Sequence, residues 1–196
     1  MKEFTINSNE AGQRFDKYLK KLLPNASGGF IYKMLRKKNI TLKGHKASGT
    51  EIIKAGDVVK LFLSDETFVK FSTDLTSLKE EYDSLSSLKL GGLQIIYEDE
   101  DILIANKPSN MLSQKAAEKD ISANERLIGY LINTNQLSFD DYKTFHPSVC
   151  NRLDRNTTGL ILMGKSLKGL QNLSQILKDR SIEKYYRTIV TGTLTK

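Results

Sequence analysis

Between residues 151 and 163 the chain reads Asn-Arg-Leu-Asp-Arg-Asn-Thr-Thr-Gly-Leu-Ile-Leu-Met, a charged loop that passes without a break into an apolar run. Leu160–Met163 reads as a buried strand, so the chain must build a sheet with a covered face. The loop before it sets Asp154 between Arg152 and Arg155. Charge near a buried element is costly unless it is paired. A carboxylate held among cations at the end of a buried strand is a candidate reactive group. The same spacing also fits a solvated Asp in a surface loop, where an exposed Arg–Asp pair contributes little.

The flanking segments extend this sheet. Leu93–Tyr97 and Ile102–Ala105 enclose the acidic turn Glu98-Asp99-Glu100-Asp101, a hairpin signal. Leu127, Ile128 and Leu131 mark a short helix, and Phe145-His146-Pro147 closes the loop that follows. Ser166 is placed to cap a helix whose inner face is Leu167, Leu170, Leu173 and Leu177. The run 182–191 reads as a long strand. Strands with helices packed on one side make an α+β architecture.

The first part of the chain is different in charge. Between residues 11 and 60 twelve Lys and Arg face three acids, a net +9, while the whole chain carries +7. Phe15, Tyr18, Leu19 and Leu22 share a helical face and leave Lys17, Lys20 and Lys21 outward. Pro24 and Gly28-Gly29 end that helix, and Ile31, Met34 and Leu35 mark a second. Arg36-Lys37-Lys38 fall at its C-terminal end, where cations suit the helix dipole. Ile40 and Leu42 alternate as a strand, and Gly56-Asp57 leads into Val58–Phe62. Such a surface favours a polyanionic partner, although a basic face can also be merely solvated. The expected organisation is a basic α/β module over 1–71, a Ser- and Gly-rich linker over 72–92 with room for a short helix near Leu78–Leu85, and a second domain over 93–196.

Composition closes off several classes. With 39% hydrophobic residues the chain can bury a core, yet no apolar run reaches membrane-spanning length. Met1–Ile6 lacks a secretory apolar region, so a cytoplasmic, membrane-free protein is expected. Cys150 is the single cysteine and can form no internal disulfide. No Cys and His cluster has ligand spacing, so no metal is expected. Cys150 and His146 read as a buried thiol and a packing or surface imidazole. Oligomeric state leaves no mark.

Three blocks carry a resemblance. Arg152-Leu153-Asp154-x-x-Thr157-x-Gly159 resembles the signature of the RluA-type RNA pseudouridine synthases. Lys184-Tyr185-Tyr186-Arg187-Thr188-Ile189-Val190-Thr191-Gly192 is similar to their Lys-x-Tyr-x-Ala-x-Val-x-Gly strand, with Thr188 in place of Ala. Ile102–Pro108 is similar to the Asn-Lys-Pro strand end that opens their catalytic domain. In the first part, Arg14–Leu19, Lys37–Ile40 and Gly56-Asp57 resemble the small RNA-binding module of a small-subunit ribosomal protein and of tyrosyl-tRNA synthetases.

The resemblance implies a mixed, largely antiparallel sheet, Asp154 as catalytic carboxylate, and no cofactor. It implies that Tyr186 stacks on the uracil, with a hydroxyl placed for proton transfer. Arg152 would face the RNA and help fill the gap left by the flipped base, while Arg14, Arg36, Lys37 and Lys38 would grip phosphate. Lys107 and Arg155 are weaker candidates. Ribosomal RNA is favoured over transfer RNA as the target. Asn151 stands where His is frequent. In these synthases a later strand supplies a cation to the catalytic Asp, whereas here Lys196 follows directly on the Tyr strand. A C-terminally truncated chain is therefore expected, with an incomplete sheet and an open edge. That leaves a second reading, an RNA-binding protein with an inactive catalytic remnant. A hydrolase is disfavoured because no motif places a second carboxylate near Asp154.

Overall fold

In the computed structural model, which describes residues 1–193, the basic region folds as β1 (Lys2–Thr5), α1 (Phe15–Leu22), α2 (Gly28–Arg36), β2 (Ile40–Leu42), β3 (His45–Lys46), β4 (Val58–Leu61) and α3 (Asp65–Phe71). Its strands make an antiparallel sheet in the order β1-β4-β2-β3. Phe15, Tyr18 and Leu19 share one core with Ile31, Met34 and Leu35, as their helical spacing predicts. Ser27 caps α2 by accepting from the Phe30 N–H at 3.1 Å. At the other end Lys38 is left-handed, with φ 61°. The Lys38 N–H donates to Leu35 O at 3.0 Å and the Asn39 N–H to Met34 O at 2.9 Å, the paired bonds of a Schellman stop. This stop leaves Arg36, Lys37 and Lys38 exposed at a corner.

The remaining elements are α4 (Leu75–Ser86), β5 (Gln94–Glu98), β6 (Ile102–Lys107), α5 (Ala123–Asn133), α6 (Phe139–Tyr142), β7 (Ser148–Val149), β8 (Gly159–Gly164) and α7 (Leu167–Lys178). The second sheet runs β5-β6-β8-β7, every pair antiparallel. Among the described residues no helix is long and apolar enough to cross a membrane.

Two expectations meet a different structure. Residues 72–92 are not an open linker, because α4 packs on α5 and buries Leu78 and Leu85 in the second core. A Cβ on Gly129 of α5 would lie 2.4 Å from the Leu85 carbonyl oxygen, so the helices approach too closely for any larger residue. The Ser and Glu content that suggests a linker is the solvated side of this helix. The run 182–191, expected as a long strand, forms no strand at all. Alternation supplies side-chain pattern only; the backbone also needs a partner edge, and this segment pairs with none among the described residues. From Tyr185 onward its apolar side chains stand in solvent, Ile189 at 98% exposure.

The acidic turn between β5 and β6 is a structural anchor. Asp99 Oδ1 accepts from the N–H groups of Asp101 and Ile102, each at 2.8 Å. Lys165 pairs with Glu98 at 2.7 Å, and Asp101 takes Ser166 and Lys168 from the start of α7. Hydrogen bonds from Ile102 and Asp101 hold the Asp99 carboxyl below its usual range, and those from Lys168 and Ser166 do the same for Asp101. A lowered folded-state pKa contributes stability above the unfolded value of about 4, which is lost as pH falls through the folded value. The melting temperature is therefore expected to hold from neutrality to about pH 5 and fall below about pH 4. Asp101→Asn should flatten part of that acid limb. Superimposable acid limbs for the two proteins would show that the anchor contributes nothing.

Candidate active site

β8 lies between β6 and β7, so whatever precedes it emerges from the middle of the sheet. The β7 ladder is continued past Val149 by Cys150, whose N–H donates to Leu162 O at 2.7 Å, and then by a side chain. Asn151 Nδ2 donates to Leu160 O at 3.0 Å while its Oδ1 accepts from the Leu162 N–H at 2.8 Å. The amide thus imitates a peptide group along β8. The chain then departs as the loop 152–158, turned by a Thr157 N–H to Asp154 O bond of 3.0 Å. It re-enters the sheet at Gly159, whose φ of +134° strains any L side chain. That is why glycine closes the Arg-Leu-Asp-x-x-Thr-x-Gly pattern.

Two groups on the neighbouring segment fasten this loop. Lys107, at the end of β6, is completely buried. Its ammonium donates to Met111 O at 2.8 Å, Pro108 O at 3.0 Å and Arg155 O at 3.2 Å, which uses all three of its protons. Burial pushes this lysine below its ordinary value, against the opposing pull of the Asp154 charge. Ser113, also buried, donates to Leu153 O at 2.8 Å and accepts from the Leu153 N–H at 3.0 Å. The residue before Asp154 is therefore clamped on both backbone groups, and the residue after it by Lys107.

Asp154 itself is exposed, as are Arg152 and Arg155. The flanking arginines do not hold it: no ion pair among the described residues includes any of the three. The Asp154 charge acts instead on the buried ammonium of Lys107, at the end of β6. Both carboxylate oxygens are thus open to an incoming group on a backbone held from behind.

The other residues singled out by sequence lie elsewhere. Tyr186 belongs to the extended segment after α7 and is 72% exposed, apart from the sheet. Arg36, Lys37 and Lys38 form the corner after α2 and enter no ion pair among the described residues. Arg14 is already engaged, with a two-pronged bond to Asp16 at 3.1 and 2.7 Å. Tyr32 donates to the same carboxylate at 2.7 Å. Ser113 carries no signal by which sequence alone could find it, since a lone Ser in a polar loop is unremarked in any pattern.

Comparison with known proteins gives the chain its relatives. A family model described as RNA pseudouridylate synthase matches residues 101–196, the segment holding both the Lys107 tie and the Asp154 loop. An uncharacterized RNA pseudouridine synthase of Mycoplasma pneumoniae is 28% identical over 194 residues, 97% of this chain and 56% of that protein. Ribosomal large subunit pseudouridine synthase C of Rickettsia bellii is 29% identical over 188 residues, 96% of this chain and 58% of that protein. The chain spans a little over half the length of these relatives. Among solved structures, human RNA pseudouridylate synthase domain containing 4 matches with 16% identity and a TM-score of 0.33, over 54% of this chain and 35% of that one. Residues 101–196 thus match the family model of the RNA pseudouridylate synthases, and along almost its whole length the chain is similar to RNA pseudouridine synthases.

Proposed function

We propose that the protein isomerises specific uridines of structured RNA to pseudouridine, with Asp154 as the catalytic carboxylate. The observation that supports this best is the Asp154 loop. It lies inside the family-matched segment, its backbone is fastened by Lys107 and Ser113, and its carboxylate is exposed. The reaction breaks the bond between ribose C1′ and uracil N1, turns the freed base, and joins C1′ to C5. C5 gives up its hydrogen and N1 gains one, so the change is an isomerisation that needs no oxidant or reductant. Asp154 serves as nucleophile or base at the sugar. Keeping the detached base beside the sugar gives the advantage of an intramolecular reaction, up to about 7–11 kcal/mol in ideal geometry. Arg152 faces the RNA, and Tyr186 supplies a stacking face of about 1–3 kcal/mol.

The basic region is proposed as the electrostatic grip, with Arg36, Lys37 and Lys38 on phosphate and Arg14 held back by Asp16. Replacing Arg36, Lys37 and Lys38 together by Gln should lower the slope of log affinity against log salt by up to about 2, since about 0.7 is lost per single-strand phosphate contact. An unchanged slope would mean that this corner is only solvated.

Ribosomal RNA is the proposed target and the cytoplasm the proposed place. Several relatives, such as those of Rickettsia felis and Pasteurella multocida, are named ribosomal large subunit pseudouridine synthase C. A second reading, RNA binding without chemistry, draws support from the position of Tyr186 outside the sheet. Pseudouridine maps of ribosomal and transfer RNA from cells with and without the gene separate these readings. Sites lost from ribosomal RNA support the proposal, sites lost only from transfer RNA overturn the target, and identical maps favour binding alone.

A further inference from the structure

Beside the Asp154 loop lies a pocket of about 570 Å³ that neither the motif nor the carboxylate accounts for. Its wall includes Asn110, Lys119, Asp120, Arg126 and Arg155. Three of these are cations and one is an acid. The acid is turned to its own loop, because Asp120 Oδ2 accepts from the N–H groups of Ala116 at 3.1 Å and Ala117 at 2.8 Å. Lys119 is exposed at the rim and enters no ion pair among the described residues. Arg126 is anchored by one nitrogen, Nη1, which donates to Lys89 O at 2.6 Å. Its Nε is buried and has no hydrogen-bond partner among the described residues. With one nitrogen bonded and its Nε shut away, the Arg126 guanidinium still lines an open pocket, where its remaining donors can serve an acceptor that enters.

The pocket is also fixed in place relative to Asp154. Arg155 is its immediate neighbour, about 3.8 Å away along the backbone. The opposite wall is tied to the same loop, with Ser109 Oγ donating to Asn156 O at 3.1 Å and Lys107 bridging Met111 O and Arg155 O. Asn110 holds a left-handed turn there, with φ 63°.

We infer that this pocket binds a phosphodiester of the RNA backbone next to the nucleotide presented to Asp154, with Arg126 and Lys119 as the gripping residues. This rests on the proposed reading of the Asp154 loop. Taking a base out of its stack costs a few kcal/mol, and a backbone held beside the site offsets part of that cost and fixes the register of the strand. A guanidinium suits the task because its planar fork matches phosphate oxygens. Carboxylate ligands are disfavoured only by context: the pocket opens where the polyanion must pass.

The test uses a fluorescently labelled stem-loop RNA with a uridine-containing loop, titrated at several KCl concentrations with wild type, Lys119→Gln and Arg126→Gln. Each variant should bind severalfold more weakly, with a salt slope lower by about 0.7 to 0.9, and to a similar degree for stem-loops of different sequence. Lys119 is exposed, so Lys119→Gln decides the matter if the loss of the Lys89 bond destabilises Arg126→Gln; melting temperatures identify that case. Wild-type affinity and slope in the folded variants would overturn the pocket while leaving the Asp154 reading intact. Absence of RNA binding by the wild type would overturn that reading and the pocket with it. Calorimetric titration with inorganic phosphate at matched ionic strength distinguishes a free anion from the RNA backbone. Saturable phosphate binding that Arg126→Gln abolishes, with RNA affinity untouched, would assign the pocket to a free anion and overturn the proposal.

Discussion

Asp154→Asn is expected to abolish pseudouridine formation, by about four orders of magnitude or more, the scale on which loss of a nucleophile acts in other enzymes. RNA affinity and melting temperature should stay at their wild-type values. The asymmetry follows from the site. The Asp154 side chain is exposed and joins no ion pair among the described residues, so its removal leaves no buried partner stranded. The loop is held through backbone groups of Leu153 and Arg155, which the substitution does not touch. Asp154→Ala should behave alike. Single-turnover rates, RNA titrations and melting curves on the same preparations check this. A variant that turns over like wild type would remove Asp154 from the chemistry, whereas one that loses activity together with several degrees of stability would make its role structural.

Lys107→Met should act in the opposite way, on stability first and on activity as a result. Methionine fills a similar volume but offers no donor, so the carbonyls of Pro108, Met111 and Arg155 lose their shared partner. Each stranded buried carbonyl costs about 1–3 kcal/mol, partly offset because a buried ammonium no longer has to be desolvated. A net loss of about 3 kcal/mol would lower the melting temperature by about 6–12 °C in a chain of this size. The Asp154 loop then loses its tie at Arg155, and turnover should fall although the carboxylate is intact. Calorimetry paired with single-turnover rates reads both effects. A melting temperature within a degree of wild type would show that the three carbonyls are satisfied without Lys107.

These two residues mark how far the sequence could be read. Asp154 stands out in the sequence because a charged loop entering an aliphatic strand is unusual in itself and because its pattern resembles a known signature. Lys107 stands out less, as a weaker candidate, because a lysine before proline reads as an ordinary surface residue. Its burial depends on three carbonyls converging from two loops about 48 residues apart in sequence, and sequence-local patterns hold no such information. The flanking Arg152 and Arg155 read as partners of Asp154 through proximity alone, yet among the described residues neither forms an ion pair with it. Apolar periodicity succeeded where one element supplies the burial, as in Phe15, Tyr18 and Leu19 of α1 and in the Ser166-capped α7. It failed for 182–191, where side-chain alternation is right but strand formation depends on a partner edge. For α4 it suggests only a short helix near Leu78–Leu85 inside a linker, because the two buried leucines are outnumbered by Ser and Glu on the solvated side.

The proposed role of the Asp154 carboxylate is to perform pseudouridine formation in the cell. It is tested most directly by replacing the chromosomal gene with its Asp154→Asn allele and quantifying pseudouridine at every ribosomal RNA uridine in the wild-type, deletion and substituted strains. The positions unmodified in the deletion strain should be unmodified to the same extent in the Asp154→Asn strain, while the substituted protein accumulates to wild-type levels. Full modification of those positions by the Asp154→Asn protein would contradict that role.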